Sequence, residues 1–463
     1  MRRVVSPGLS AAFLTLGALG ALAIACGSSS SARTFDEPAP GPGDQASTGP
    51  LPNDSTGACT GIRCNIPSCE PGKTTTIEGD VYDPAGKTRL YNVLAYVPNE
   101  PLAPITKGMS CDRCGTVSGD PIATSLSDSK GHFRIENVPA GDNVPVVLQV
   151  GKWRRTIKVP HVDACTTNRI TDKDARLPGK REDGDMPSIA VVSGGFDELA
   201  CLLTRIGVHA TEHGTPKANP DAAVHVYRGI GGGDLTLGGA PDAKDLWKDE
   251  TTLAKYDAVL LACEGWEYDE DDGNSGNKTP ASKKAMREYL DQGGRVFATH
   301  YHYAWFQQNP EKDFREVATW NASSSAYGHE ALSVDTTFPK GVAFSEWLTN
   351  IGASKEPGVL EVDNPAANVA SVKSGVAQRW MYGTKGVSMM SFNTPIGVAD
   401  DKQCGRAVLS DIHVSGEQGS KPIPGQCDTG ELTPQELALE FLLFDLVACV
   451  QPDALAPRAP DPR

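Results

Sequence analysis

The pattern of apolar and polar positions changes near residue 180, and the two sides of that point predict different folds. On the N-terminal side, apolar and polar residues alternate with period two in short segments such as Thr76–Tyr82 and Tyr91–Val97. Turns rich in proline and glycine, such as Asp83–Gly86, separate these segments. Period-two alternation is typical of strands with one buried face, so residues 73–178 are predicted to form an all-β sandwich.

On the C-terminal side, continuous apolar runs alternate with helical patterns. The first apolar run, 188–193, is followed by four apolar residues at helical spacing. Gly207 marks the end of this predicted helix. Thr433–Glu436 have the pattern of a capping box at the start of the last helix. Strands that are buried on both faces have continuous apolar sequences, so residues 186–451 are predicted to form a doubly wound, parallel α/β sheet of the flavodoxin-like kind. The apolar runs are 188–193, 256–263, 295–299 and 405–410.

Composition and charge narrow the class of protein. The 463 residues allow about two or three domains. A composition of 39% hydrophobic and 22% charged residues is typical of a globular protein and excludes collagen-like, coiled-coil and wholly disordered chains. Lys and Arg number 43 against 58 Asp and Glu, and the net charge of -15 gives no general attraction to nucleic acid, which is excluded as a partner.

Residues 1–25 have the pattern of a secretory signal peptide. Arg2 and Arg3 precede an apolar stretch that ends in small residues. Ala23–Cys26 resembles the lipobox of bacterial lipoproteins, which implies that Cys26 is lipidated and becomes the mature N-terminus. The chain would then be anchored to a lipid bilayer through acyl groups, in the bacterial cell envelope at the outer membrane or cell surface. Plain secretion is the alternative.

Two flanking segments are predicted to lie outside the folded core. Residues 26–72 begin with a stretch rich in Ser, Pro, Gly and Asp, which has too few large apolar residues to fold, and end in a cysteine-rich part. The first stretch, to about Gly57, is predicted to be a flexible tether. Residues 452–463 are predicted to be a disordered tail.

The cysteines predict disulfides and at least one free thiol. Twelve cysteines minus the lipidated one leave eleven, an odd number. In an oxidising compartment the closely spaced cysteines are predicted to form disulfides, with a zinc site as the alternative. Cys404 and Cys427 are predicted to pair because they bracket the strand and loop containing His413. Cys201 and Cys263 lie in apolar patterns and are either disulfide partners or buried thiols. The closely spaced cysteines are Cys59, Cys64, Cys69, Cys111 and Cys114.

The N-terminal region resembles the carboxypeptidase regulatory-like, transthyretin-like family. The resemblance rests on Asp83–Gly86, Thr124–Phe133 and Val138–Gly141. An insertion around Cys111 and Cys114 departs from the family pattern. The resemblance implies a rigid accessory or binding module.

The C-terminal region resembles the class I glutamine amidotransferase-like superfamily and, within it, the ThuA-like proteins. The matching segments are Val192–Gly195, Tyr256–Gly265, Gly293–His300 and Gly405–His413. The resemblance implies an amidotransferase-like fold. At the elbow where amidotransferases carry a nucleophilic cysteine, this chain has His300, so glutamine hydrolysis is not expected. ThuA-like proteins also carry histidine there and are linked to sugar metabolism, which implies a carbohydrate ligand.

Residues that follow the apolar runs are predicted to share one crevice, because open α/β sheets bind ligands at the carboxyl ends of their strands. His300 and His413 are expected at the same edge and, with Glu264, are the catalytic candidates. His300, His302 and His413 are also candidate zinc ligands, since imidazole nitrogens suit that ion. Alternatively, these histidines are structural partners that cap strand ends. The predicted ligand-binding residues are Gly194, Gly195, Glu264, Trp266, His300, His302, Trp305, Asp411 and His413, with Tyr301 and Tyr303 as further aromatic walls.

Two functions follow from this reading. The first is an envelope-anchored lipoprotein without catalytic activity that binds carbohydrate or another envelope component and needs no cofactor. The alternative is an envelope enzyme, a metal-dependent or histidine-dependent hydrolase or isomerase of sugars. A purely structural role in the envelope is compatible with the same sequence.

Overall fold

The computed structural model describes residues 59–462 except for short internal gaps. The predicted signal peptide, the lipidation site Cys26 and the first part of the predicted tether lie outside the described residues. Ala58–Arg463 form one compact unit. No helix among the described residues has both the length and the apolar composition to cross a membrane. The gaps are residues 116, 172, 233–236, 269–277, 322–327, 415–423, 426 and 428–429.

In its described residues, the N-terminal region contains a 3-10 turn, Gly61–Asn65, and seven strands in two sheets. One sheet has the order β4-β1-β7 and the other has the order β3-β2-β5-β6. The most extensive strand pairing of the region is antiparallel and joins β5 and β6. At its end, Val150 is paired with Trp153 across a tight turn. The strands are β1 Thr76–Asp80, β2 Leu94–Pro98, β3 Pro121–Leu126, β4 His132–Glu136, β5 Gly141–Val150, β6 Trp153–Val162 and β7 Thr167–Ile170.

The C-terminal region contains one twelve-stranded sheet and eight α-helices within the described residues. Its strands are β8 Ile189–Ser193, β9 His213–Gly214, β10 Val224–Arg228, β11 Ala258–Leu261, β12 Arg295–Thr299, β13 Ala318–Trp320, β14 His329–Val334, β15 Val359–Asp363, β16 Val369–Val372, β17 Ala377–Gly383, β18 Gly386–Thr394 and β19 Gly405–Ser410. Its helices are α1 Leu199–Arg205, α2 Ala243–Trp247, α3 Glu250–Leu253, α4 Pro280–Asp291, α5 Ala304–Gln307, α6 Lys312–Arg315, α7 Pro339–Asn350 and α8 Pro434–Val447.

Half of the large sheet is parallel, as the apolar runs predict. Its order is β10-β8-β11-β12-β19, with each neighbouring pair parallel. This is the 2-1-3-4-5 order of a doubly wound sheet, whose ligand crevice lies where the strand order reverses. The reversal is at the carboxyl ends of β8 and β11.

The other half of the sheet is antiparallel, which corrects the prediction of a wholly parallel sheet. Strands β18, β17, β14 and β15 continue from β19, each antiparallel to its neighbour. The tight connection between β17 and β18 is too short for a crossover helix, so these strands form a hairpin. The chain segment between β12 and β19 thus supplies the antiparallel strands that follow β19 in the sheet.

Alternate residues of the parallel strands pack on opposite faces of the sheet. Ile189 and Val191 belong to one hydrophobic cluster, whereas Ala190 and Val192 belong to another. The first cluster also contains residues of α1, α7, α8 and the N-terminal sheets, such as Trp153. The regions on both sides of the predicted boundary at 178–186 therefore share one core.

The described residues contain five disulfides. Two of them, Cys111–Cys404 and Cys114–Cys449, join the insertion of the N-terminal region to the C-terminal region. The predicted pair of Cys404 with Cys427 is wrong. Cys404 precedes β19 and Cys427 follows it, and six strand residues separate opposite edges of the sheet by roughly 20 Å. Cys427 instead forms a disulfide with Cys201 on α1. The other two disulfides are Cys59–Cys64 and Cys69–Cys165.

The C-terminal tail is packed rather than disordered, which corrects a second prediction. Asp453 accepts hydrogen bonds from Arg406 at 2.9 and 3.0 Å and from Ser391 at 3.1 Å. Further along, the carbonyl of Pro460 accepts a 2.6 Å hydrogen bond from Thr124. A buried ion pair and a contact with the N-terminal sheet therefore hold the tail in place.

Two buried carboxylates meet where α8 packs against the N-terminal region. Burial raises the pKa of Asp83 to about 6, although the Lys87 and Thr88 amides donate to it. Burial and the negative charge of Asp83 raise the pKa of Glu440 well above its usual value. Both folded-state values exceed the unfolded ones, so stability falls as pH rises from about 4 through the folded pKa values.

We therefore expect Glu440→Gln to stabilise the protein at neutral pH. The amide cannot ionise, so it removes the free-energy cost of burying a carboxyl group whose folded pKa is raised, and the free energy of unfolding at pH 7 should rise by about 1–3 kcal/mol. Thermal unfolding at pH 4 and pH 7 measures this, and the gain should shrink at pH 4. Glu431→Gln, an exposed carboxylate nearby, is the control and should change little. A loss of stability in Glu440→Gln at pH 7 would contradict the expectation.

Candidate functional site

The candidate site lies at the carboxyl ends of β8 and β11, where the strand order reverses. The loop after β8 passes so close to the end of β11 that a Cβ on Gly194 would lie 2.1 Å from the carbonyl oxygen of Cys263. Only glycine permits this approach. The Phe196 amide then donates a 3.1 Å hydrogen bond to the same carbonyl, which fixes the two loops together.

Asp197 is the central residue of the site. Its Oδ2 accepts hydrogen bonds from the Cys263 amide at 3.1 Å and from the Thr299 hydroxyl at 2.5 Å. Its Oδ1 accepts from Nδ1 of His413 and from the Val414 amide, both at 3.0 Å. One buried carboxylate therefore joins the ends of four strands, β8, β11, β12 and β19.

His413 and Asp197 form a buried ion pair. Burial alone would lower the pKa of His413, but the charge and hydrogen bond of Asp197 raise it. Burial alone would raise the pKa of Asp197, but the charge of His413 and its donors hold it below the usual range. Nδ1 of His413 is hydrogen-bonded to Asp197, so Nε2 of His413 is the ring nitrogen that could contact a ligand in the crevice.

His300 occupies the elbow between β12 and the 3-10 turn His300–Tyr303. Its φ of +43° lies in the left-handed region, which is rare for a residue with a side chain. Such backbone strain persists only where surrounding structure enforces it, and it is concentrated at functional sites. The His300 ring lies 4.9 Å from the His413 ring between centroids, so the two histidines meet at one edge, as the sequence predicts.

Cys263 completes a cluster with these two histidines. Its Sγ lies 3.5 Å from Nδ1 of His300. It is the free cysteine of the described residues, and burial together with the charge of Asp197 raises the pKa of its thiol. The thiol is therefore neutral at physiological pH, and we do not assign it the role of a nucleophile.

Asp411 adds a second buried carboxylate beside this cluster. The Asn368 amide donates to its Oδ2, while Oδ1 has no hydrogen-bond partner among the described residues. Burial raises the pKa of Asp411 to about 7. The predicted ligand-binding residue Asp411 thus lies beneath the crevice.

Glu264 has a structural position, which argues against the catalytic role predicted for it. Its carboxylate accepts a 2.6 Å hydrogen bond from Lys278, and both side chains are fully buried. Its other oxygen accepts a 2.8 Å hydrogen bond from the Ile230 amide. Burial would raise the pKa of Glu264, but the charge of Lys278 lowers it. Glu264 therefore fixes the loop of residues 229–231, which packs against Gly195, and has no proton to donate at neutral pH.

His302 and Trp305 are buried below the crevice rather than lining it. Nε2 of His302 donates to the Ala262 carbonyl at 2.9 Å, and its Nδ1 accepts from the Trp305 indole at 3.0 Å. Burial and the charge of Lys278 lower the pKa of His302 to about 4. Both ring nitrogens are engaged, so His302 is a structural partner and does not belong to a metal set. Tyr303 is buried as well.

Aromatic side chains line the approach to the histidine pair. Phe196 is 67% exposed and Trp266 is 51% exposed. Gly265, with φ +89°, lets the Phe196 ring lie against the backbone, where a Cβ would be 2.2 Å from a ring carbon. The Trp266 ring lies 5.9 Å from the Tyr301 ring, which lies 4.1 Å from His300. We call Phe196, Trp266, Tyr301 and His300 the aromatic strip.

The site thus combines predicted and unpredicted residues. The predicted residues Gly194, Gly195, Trp266, His300 and His413 lie at one edge. Sequence reasoning missed the roles of Asp197, Cys263, Thr299 and Lys278. For Cys263 and Thr299 the available signal was their position at or just beyond the end of an apolar run.

No family model matches this chain, and no curated protein matches it. Solved structures that resemble it include ThuA-like proteins. One from Parabacteroides merdae is 13% identical, spans 59% of this chain and 93% of its own, and has a TM-score of 0.30. Another from Bacteroides uniformis is 10% identical, spans 56% of this chain and 91% of its own, and has a TM-score of 0.29. A cytoplasmic protein from Salmonella typhimurium is 11% identical, spans 57% of this chain and all of its own, and has a TM-score of 0.28. Likeness at this level places the chain in no family and assigns it no activity.

Proposed function

We propose that this protein is an envelope-anchored lipoprotein that binds carbohydrate at the sheet edge between Gly194 and His413. The observation that carries the binding proposal is the aromatic strip, which leads from solvent to the buried histidine pair. Exposed apolar side chains that form a contiguous patch mark a contact surface. The flat, weakly polar faces of sugar rings suit such rings, while their hydroxyl groups suit the polar groups beneath.

The surroundings of the strip support a binding role. The residues of the aromatic strip lie in loops that are fixed by the Asp197 hydrogen bonds and by the Glu264–Lys278 ion pair. Loops held in this way lose little conformational freedom when a ligand binds. The anchoring part of the proposal rests on the lipobox-like sequence Ala23–Cys26 and on the five disulfides, which suit an exported protein.

The binding proposal is tested with Trp266→Ala on a glycan array and by calorimetry. The exposed indole contributes contact area with little role in the core, so we expect glycan affinity to fall at least tenfold, about 1.4 kcal/mol, with an unchanged Tm. Leu455→Ala removes an equally exposed apolar side chain elsewhere and should leave affinity unchanged.

Two results would contradict the proposal. If the parent protein binds no glycan, carbohydrate is not its ligand. If Trp266→Ala binds as tightly as the parent, the ligand lies away from the aromatic strip. Retention of Cys26→Ser in the lipid fraction would contradict the anchoring part.

A further inference from the structure

Three side chains with metal-ligating atoms meet at the inner end of the aromatic strip. Cys263, His300 and His413 each offer one atom, and these atoms lie within 4.8 Å of one another. Tetrahedral zinc, with bonds of about 2.3 Å to sulfur and about 2.0 Å to nitrogen, separates its ligand atoms by about 3.3–3.6 Å. The distance of 3.5 Å between Sγ of Cys263 and Nδ1 of His300 already fits. The other separations are at most 4.8 Å, so they need to shorten by no more than about 1.5 Å to reach this geometry.

Asp197 prepares His413 for such a role. Metal-bound histidines commonly donate their second ring nitrogen to a carboxylate, which fixes the tautomer and the ring orientation. The 3.0 Å hydrogen bond from Nδ1 of His413 to Asp197 has this form and leaves Nε2 as the ligand atom. The backbone supports the same position, because Gln435 donates a 2.7 Å hydrogen bond to the His413 carbonyl.

The charge around the cluster also favours a cation. Asp197 and Asp411 are both buried, and no lysine or arginine in the described part of the chain forms an ion pair with either. Oδ1 of Asp411 lacks a hydrogen-bond donor among the same residues. The two buried acidic side chains therefore have one histidine as their positive neighbour, and a divalent ion would add positive charge beside them.

We propose that Cys263, His300 and His413 bind one divalent transition metal ion of the Zn²⁺ and Co²⁺ class, with Asp197 as the positioning residue of His413. Binding replaces the thiol proton of Cys263, which is released to solvent, with a sulfur–metal bond. Three protein ligands leave the fourth tetrahedral position for water or for a donor atom of a bound molecule, as in catalytic zinc sites. This site goes beyond the proposed carbohydrate binding and does not depend on it.

The test is a Co²⁺ titration of the purified protein after removal of metals by a chelator. We expect one equivalent of Co²⁺ to bind, with tetrahedral d–d absorption and a thiolate-to-cobalt charge-transfer band. Cys263→Ser should abolish the charge-transfer band. His413→Ala should weaken binding by more than 100-fold, and Asp197→Asn by about 10- to 100-fold, as for other carboxylate partners of metal-bound histidine.

His329→Ala is the matched control, because exposed His329 also lies beside two carboxylates, Asp363 at 2.8 Å and Glu361 at 2.7 Å. It should leave the titration unchanged. Circular dichroism checks that each variant is folded, and Cys263→Ser provides a readout even if His413→Ala fails to fold. Absence of stoichiometric binding, or a charge-transfer band that persists in Cys263→Ser, would overturn the proposal.

Discussion

Replacing Lys278 with methionine should lower the free energy of unfolding by about 3–5 kcal/mol, because it leaves the charge of Glu264 buried without a partner. Both side chains are fully buried, and Lys278 also donates a 2.6 Å hydrogen bond to the Glu267 carbonyl. Urea unfolding measures the loss. Lys284→Met on α4 removes an exposed lysine paired with Glu288 and should cost less than about 1 kcal/mol.

The double variant Lys278→Met with Glu264→Gln tests the structural role of the pair. Removing both charges should be less damaging than the sum of the single losses, since neither charge is left unpaired. If Glu264 acted on a ligand directly, Glu264→Gln would abolish binding even in this background. We expect the folded double variant to retain ligand binding, and loss of binding without loss of stability would contradict this assignment.

Replacing Asp453 with alanine should have a comparable effect on stability. Asp453 and Asp445 together balance Lys340 and Arg406 in one buried group. Without Asp453, two cations share one carboxylate, and we expect a loss of about 3–5 kcal/mol near pH 7. Asp461→Ala, an exposed change in the same tail, should change stability little.

The pH dependence distinguishes this loss from simple removal of packing. Burial would raise the pKa of Asp453, but the charges of Arg406 and Lys340 lower it below its usual 3.8. A carboxylate whose folded pKa is depressed stabilises the fold above its unfolded pKa, and that contribution disappears as pH falls. The difference between parent and Asp453→Ala should therefore be full at pH 7 and shrink below about pH 4. A difference that is constant with pH would contradict the ionic explanation.

The sequence predicts those parts of the fold that local pattern determines. The apolar runs correspond to β8, β11, β12 and β19, and the capping box at Thr433 and Glu436 starts α8. The antiparallel half was not predicted. In β17, Gln378 and Arg379 are only half-buried, so this strand carries no continuous apolar run.

The candidate site was predictable only where a residue lies at the end of a predicted apolar run or just beyond it. His300 directly follows β12 and His413 lies three residues beyond β19, and the two meet. Asp197 lies four residues beyond β8, and only the folded loop brings it to His413. Lys278 lies 14 residues after Glu264, just before α4, and no sequence motif relates the two residues. Disulfide connectivity is similarly non-local, since Cys111 and Cys404 are 293 residues apart.

The five disulfides cannot all form at the same stage of synthesis, because some join segments that are far apart in the chain. Cys59–Cys64 and Cys69–Cys165 lie within the first part of the chain and can close as soon as it emerges. Cys111 and Cys114 can form their native bridges only after the segments with Cys404 and Cys449 have been synthesised. A chain cut short before Cys449 therefore cannot form the Cys114–Cys449 bridge, a covalent difference by which incomplete copies are distinguished from finished ones.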